Sequence, residues 1–271
     1  MIHLVVALPA EAKPLIRHFQ LRRRPEALPF PVYDRNGMSL IVSGVGKPKA
    51  GAAVAYLHAA NGAAPDQAWL NVGIAGDGAR ALGEGVLAHA IKDAATGRRW
   101  YPPLVFQPPC ETTAVLTLDR PASAYPDAGS VDMEASAVYD TASRFSTNEL
   151  IHCFKIISDN RANPAHSVSA ASAERLVAYK LDEIETIVGQ LSQLAEEVAR
   201  LRAPPLELER FLARWHFTVS ERHRLHQLLR RWQLRGDEQQ SLSTELSALA
   251  RASEVLALLE RRLQGLPVKL A

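Results

Sequence analysis

Leu150-Ile151-His152-Cys153-Phe154-Lys155-Ile156-Ile157 is a run of strand length with almost no alternation between apolar and polar positions. A strand that meets water on one face alternates, whereas one covered on both faces does not. Residues 2–8, Ile-His-Leu-Val-Val-Ala-Leu, carry the same pattern near the N-terminus. Between these runs, apolar strands at 39–43, 67–73, 85–91 and 113–118 interleave with helical stretches at 11–19, 50–60 and 133–145. That order argues for a layered α/β fold with a mostly parallel or mixed sheet. Pro25, Pro29 and Pro31 mark a loop, and residues 93–130 are rich in proline and weak in periodicity.

Residues 171–202 read as one long helix, with Leu176, Leu181, Ile184, Ile187, Val188, Leu191 and Leu194 on one stripe. Ala203-Pro204-Pro205 breaks it and marks the domain boundary. We therefore expect an α/β domain over residues 1–202 and an all-α helical module over residues 203–271. In the module, helices are expected at 206–216, from Thr218 to about Leu234, and at 241–263. Thr218-Val219-Ser220-Glu221 has the capping-box pattern, and Gly236 is placed to close that helix. Leu225, Leu228, Leu229 and Trp232 form its apolar stripe, with Arg222, Arg224, Arg230, Arg231 and Arg235 on the same helix. The stripe is too apolar to stay in water, and so small a module, with a marginal core of its own, is expected to pack on the α/β domain or on a second subunit, leaving the arginine face exposed.

The 271 residues carry a net charge of +2, which gives no polyanion-binding signature. From residue 201 onward, 12 Lys/Arg face 8 Asp/Glu, so the excess of positive charge lies in the helical region. One basic helix face with acids nearby is a thin basis for nucleic-acid binding. Cys110 and Cys153 make no disulfide framework, which points to a reduced, cytoplasmic protein. No apolar run has the length of a membrane span, and the first residues read as a strand with no basic segment before them. His223 and His226 are three apart on a helix without a third ligand nearby, so no metal site is expected.

Chemistry-bearing residues gather where strands end. Ala7-Leu8-Pro9-Ala10-Glu11 follows the first strand. Ser43-Gly44-Val45-Gly46-Lys47 follows the second, and Asn71-Val72-Gly73-Ile74-Ala75-Gly76 the third. Val131-Asp132-Met133-Glu134-Ala135 leads into a small-residue helix, and Ile157-Ser158-Asp159 ends the last strand. Ligands of open α/β sheets bind at the carboxyl ends of the strands. Each acid also has a plainer reading: Glu11 and Glu134 suit a helix first turn, and Asp159 suits an Asx-turn. Gly44-x-Gly46-Lys47 sits between strand and helix as phosphate cradles do, but lacks the spacing of either phosphate-loop fingerprint.

These five pieces, in this order over residues 1 to about 194, resemble the nucleoside phosphorylase and nucleosidase superfamily. The likeness is closest to the methylthioadenosine/S-adenosylhomocysteine nucleosidases. The resemblance implies a three-layer α/β/α phosphorylase-like fold with a central mixed sheet, to which the C-terminal helices are an addition. It implies hydrolysis of the N-glycosidic bond of an adenosyl-type purine nucleoside, without a cofactor. Asp159 would then protonate the leaving base at N7. A carboxylate must be protonated to do this, a state that burial favours. Glu11 would activate the attacking water, and Glu134 would accept hydrogen bonds from the ribose hydroxyls and offset positive charge on the sugar. Met133 would pack against the sugar, with Gly76 and Ile74 beside it and Ser158 supporting. The resemblance also implies a homodimer.

Three departures bear on the substrate. Ile74 stands where the family's nucleosidases usually have Ser, and Lys155 where the family often has Arg. Residues 91–131 look shorter than the family's by a few tens of residues, in the stretch that supplies much of the purine-stacking wall. Phosphorolytic relatives hold phosphate with arginines near the first strand; here Glu11 stands in that turn, which repels phosphate and favours water. Gly73-Ile74-Ala75-Gly76 reads as a second glycine turn that lets the backbone approach a ligand closely, and Arg80 after it reads as solvent-facing. The alternatives are a phosphorylase, including one for an adenosyl-bearing lipid, and a non-catalytic nucleoside sensor or scaffold whose helical tail binds a protein partner.

Overall fold

The computed structural model describes residues 1–25, 29–65, 67–122, 124–205, 207–233, 245–246 and 249–264. The chain divides into two compact units, Met1–Ala199 and Arg200–Ala271.

The first unit is built on a ten-stranded mixed sheet. Its elements run β1 (Ile2–Val6), α1 (Pro9–His18), β2 (Arg22–Arg23), β3 (Val32–Arg35), β4 (Met38–Val42) and α2 (Lys47–Ala60). They continue through β5 (Ala68–Asp77), β6 (Gly85–Asp93), β7 (Arg99–Trp100), β8 (Glu111–Thr117), β9 (Ser130–Asp132) and α3 (Ala135–Ala142). The unit ends with β10 (Ile151–Asp159), α4 (Ala170–Tyr179) and α5 (Leu181–Arg202), whose last residues from Arg200 belong to the second unit. Strands β4, β1, β5 and β10 run parallel side by side. The remaining pairings close a ring: β10 pairs antiparallel with β6, β6 parallel with β8, β8 parallel with β9, and β9 antiparallel with β5.

Side chains alternate across the central strands and so define two cores. Leu4 and Val6 of β1, Leu70 and Val72 of β5, and Phe154 and Ile156 of β10 pack with Leu15, Val177, Ile184, Ile187 and Leu191 from α1, α4 and α5. Val5, Trp69, Ile151 and Cys153 pack on the other face with Ala50, Ala53, Val54 and Leu57 of α2 and Val138 and Tyr139 of α3. This is the three-layer α/β/α arrangement with a mixed sheet. It also explains why the strands read as unbroken apolar runs.

The structure corrects several boundaries. The expected long helix from 171 is two helices, ending and restarting at Lys180, whose amide bonds back to the Val177 carbonyl. Asp182 and Glu183 then sit in the first turn of α5, where a helix N-terminus favours acids. Gly73-Ile74-Ala75-Gly76 is no turn: β5 runs through it to Asp77, and neither glycine has a positive φ. Helix α3 begins at Ala135, leaving Met133 and Glu134 outside it. The short strands β2, β3, β7 and β9 had no periodicity to announce them.

The second unit contains α6 (Leu208–Arg214), α7 (Val219–Gln233) and α8 (Ala252–Gln264). Thr218 and Glu221 form the capping box, with Thr218 N donating to Glu221 Oε2 at 2.9 Å and Glu221 N to Thr218 Oγ1 at 3.4 Å. The stripe Leu225, Leu228, Leu229 and Trp232 is buried inside this unit's own core, against Phe211, Val255, Leu256 and Leu259. Within the unit, α8 supplies the apolar face opposite the stripe. Arg224 forms a paired contact with Glu260 at 2.7 and 2.8 Å. The expected helix limits at Leu234 and Ser241, and the closing Gly236, lie outside the described residues.

Candidate active site

Strand β1 ends at Val6, and Pro9 opens α1 three residues later, where its missing N–H costs nothing. Glu11 folds back over this corner. Its Oε2 accepts from Ala7 N at 3.1 Å and Leu8 N at 2.8 Å, and its Oε1 from Ile74 N on β5 at 3.0 Å. The carboxylate is only 2% exposed. Burial raises its pKa, and the three N–H bonds and the nearby Lys155 offset this only in part. Gly73 makes room for it: a Cβ there would stand 3.1 Å from Glu11 Oε1. Ile74 thus serves Glu11 through its backbone, a contact that any residue at the position would make.

Glu134 precedes α3 and accepts from Gly46 N at 2.8 Å. Gly46 holds φ +102°, open to glycine alone among the common residues, and heads α2. The Gly44-x-Gly46 turn therefore delivers an amide to a carboxylate. Lys47 beside it is committed to Asp93 and Asp119, at 2.8 and 2.7 Å. Burial pushes the Glu134 carboxyl up to about 7, against the pull of Lys155 and with a further push from Asp132.

Asp159 ends β10. The β10–β5 register slips between Ile157 and Asp159, so Ser158 is the extra residue and Asp159 faces Gly76. Ser158 Oγ donates to Asp159 Oδ1 at 2.5 Å, and Tyr125 Oη donates to Asp159 Oδ2 at 2.6 Å. Gly76 permits both approaches, since a Cβ there would lie 2.5 Å from Asp159 Oδ2 and 2.6 Å from Tyr125 Cε1. Behind the carboxylates, Lys155 Nζ meets Asp132 Oδ2 at 2.8 Å, both side chains essentially inaccessible. Asp132 also accepts from Ala135 N at 2.7 Å and from Thr117 Oγ1 at 2.7 Å, capping α3 and fixing β8. Burial alone would lower the Lys155 pKa; Asp132 and Glu134 outweigh it, and the ammonium is held firmly charged.

Glu11, Asp132, Glu134 and Asp159 line one cleft of about 190 Å³, together with Met133, Ile74, Gly76 and Ser158. All the candidate site residues are brought together there. Among the described residues no lysine or arginine lines it. Arg80 lies elsewhere, bonded to Glu84 at 3.1 Å and near Asp77. The sequence reading missed Tyr125, which lies in the proline-rich stretch without periodicity. It also missed the part played by Asp132, whose only signal was an acid two residues before Glu134.

The fold is similar to that of solved nucleosidases. The 5′-methylthioadenosine nucleosidase of Arabidopsis thaliana is similar, with a TM-score of 0.59 at 15% identity over 70% of this chain and 95% of that one. So is the 5′-methylthioadenosine/S-adenosylhomocysteine nucleosidase of Neisseria meningitidis, solved with methylthio-immucillin-A, at TM-score 0.54 and 19% identity over 68% and 97%. A futalosine hydrolase mutant of Helicobacter pylori matches at TM-score 0.51 and 15% identity over 70% and 98%. No family model and no curated protein matches the sequence.

Proposed function

We propose that this protein hydrolyses the N-glycosidic bond of an adenosyl-type purine nucleoside. The observation that carries the reading is the charge of the cleft: the carboxyls of Glu11, Glu134 and Asp159 line it, Asp132 behind them is paired with Lys155, and no lysine or arginine lines it among the described residues. A phosphate charge about 4 Å from one ionised carboxylate costs about 4 kcal/mol at an effective dielectric near 20. Water carries no such penalty. In the proposed reaction the C1′–N9 bond breaks and its electron pair goes to the purine, which takes a proton from Asp159 at N7. The new C1′–O bond forms to water, whose proton passes to Glu11. Glu134 accepts from the ribose hydroxyls, with Met133 against the sugar, and offsets the positive charge on the ring. Proton exchange with solvent resets Asp159 and Glu11.

In this reading residues 1–202 carry catalysis, and residues 203–271 are an added module available to a protein partner. A homodimer is part of the same proposal. Adenine release from a panel of 5′-substituted adenosines, with and without phosphate, tests it. Release that is indifferent to phosphate supports hydrolysis. Release only with phosphate, giving a sugar 1-phosphate, makes the protein a phosphorylase. Binding without release makes it a sensor.

A further inference from the structure

Asp159 is covered from both sides. Ser158 Oγ occupies Oδ1, and the Tyr125 hydroxyl occupies Oδ2 at 2.6 Å. Each oxygen already accepts one hydrogen bond, so an incoming base competes with Ser158 and Tyr125 for the carboxyl. The cleft beside it, about 190 Å³, is smaller than the roughly 300 Å³ at which small-molecule sites begin. Tyr125 sits on the connection between β8 and β9, which also supplies Leu118, Pro121 and Ala122 to the cleft wall. That connection lies close over the end of β5: a Cβ on Gly78 would stand 3.0 Å from the Pro126 carbonyl and 3.1 Å from Tyr125 Cβ. It re-enters the sheet at Gly129, whose φ of +92° and 2.7 Å clearance to the Ala114 carbonyl suit glycine alone.

We infer that Tyr125 is a displaceable plug: a purine reaches Asp159 by exchanging its own ring nitrogen for the Tyr125 hydroxyl, so that this residue sets affinity for the base. The inference rests on the nucleosidase reading of the cleft. Two glycines, Gly76 and Gly78, leave the groove into which the tyrosine and its chain settle, and displacing them enlarges the cleft at its acid end. Burial and Asp159 together push the Tyr125 phenol up to about 12, so it remains a hydrogen-bond donor at every pH where the protein would work. The free protein makes this bond and the purine complex does not, so losing it favours the complex. Near Tyr125 the connection is held by Asp127 to Arg161 at 3.2 Å, a solvent-exposed and weak pair, while firmer ties lie at its start, Lys47 to Asp119 at 2.7 Å and Leu118 N to the Asp132 carbonyl at 2.8 Å.

Tyr125→Phe removes the hydroxyl and keeps the ring. Calorimetric titration of full-length protein with adenine is expected to give a Kd about ten-fold lower in the variant than in the parent, with KM for the nucleoside lowered in step. Labelling with 3-fluorotyrosine supplies a second reading: the fluorine resonance missing from Tyr125→Phe is that of Tyr125, and adenine should shift it in the parent. Equal adenine affinity in parent and variant, with an unmoved resonance, overturns the plug while leaving the nucleosidase reading intact. A hundred-fold fall in kcat at unchanged Kd also overturns it, because the hydroxyl would then be a proton donor in its own right. Failure of both proteins to bind adenine overturns the nucleosidase reading and the plug with it.

Discussion

Asn at position 159 keeps an oxygen for Ser158 but has no proton to give a leaving base. Asp159→Asn is therefore expected to fold normally, with an unchanged circular dichroism spectrum, and to lose on the order of 10²-fold or more in the rate of adenine release. Gly76→Ala is expected to inactivate by a different route. Its Cβ, placed 2.5 Å from Asp159 Oδ2 and 2.6 Å from Tyr125 Cε1, forces both side chains aside. Such overpacking costs about 1–3 kcal/mol, so denaturant unfolding should show a modest loss of stability beside a large loss of turnover. The pH profile belongs to this scale as well. In the proposed reaction Glu134 offsets positive charge on the sugar only when ionised, and burial raises its carboxyl to about 7. The parent's kcat/KM is expected to rise as pH climbs through about 7, and Glu134→Gln to flatten that limb. Glu11, Glu134 and Asp159 were legible because each follows an apolar strand and has no solvated face to explain it. Gly73 and Gly76 were legible as important but misread as punctuation. Glycine marks turns in most sequences, and only the neighbouring strands and carboxylates reveal that these two are spaces. Tyr125 left no trace, since nothing within residues 118–129 says which strand end the loop will cover.

The elements meet at the Lys155–Asp132 pair, which ties β10 to β9 and caps α3 from within the core. Burying such a pair adds little net stability, but removing one partner strands the other charge away from water. Lys155→Met is expected to cost about 3–5 kcal/mol in urea unfolding. The double change Lys155→Met with Asp132→Leu should recover part of that loss, because no lone charge remains buried. A double variant as unstable as the single one would show that Asp132 matters as the α3 cap and acceptor more than as an ion. The pair also shows why element boundaries were the hardest part to read. Helix α3 starts where Asp132 accepts from its first amide, a signal three residues upstream and hidden in a strand. The break at Lys180 has neither proline nor glycine, and the apolar stripe passes through it unbroken from Leu176 to Ile184. Strands β1, β5 and β10 were plain because both faces are covered. Strands β7 and β9, of two and three residues, are too short to carry a period.

For the molecule as a whole, two buried histidines contribute to the response to acid. His3 and His152 are wholly inaccessible, and burial lowers both to about 4. Their folded-state values lie below the unfolded value, so their contribution is complete above about pH 6.5 and is lost as pH falls through 4. At its limit this is on the order of 3 kcal/mol each. Glu11 and Glu134 act in the opposite sense: their raised values mean a penalty at neutral pH that is relieved as pH falls. The melting temperature of His3→Phe should therefore decline less between pH 6.5 and 4 than that of the parent. Because the second unit buries its apolar stripe within its own core, ending the chain after Ala203 is expected to leave adenine affinity unchanged, as calorimetry would show. The ring of strands has a consequence for synthesis. Strand β10, among the last of the sheet to leave the ribosome, is flanked by β5 and β6, which are made more than fifty residues earlier. Until it inserts, β5 and β6 have no common neighbour and Asp159 does not yet exist beside Gly76. A nascent chain stalled before residue 151 thus holds Glu11 and Glu134 without the strand that completes the cleft, and the proposed hydrolysis has to wait until the sheet closes.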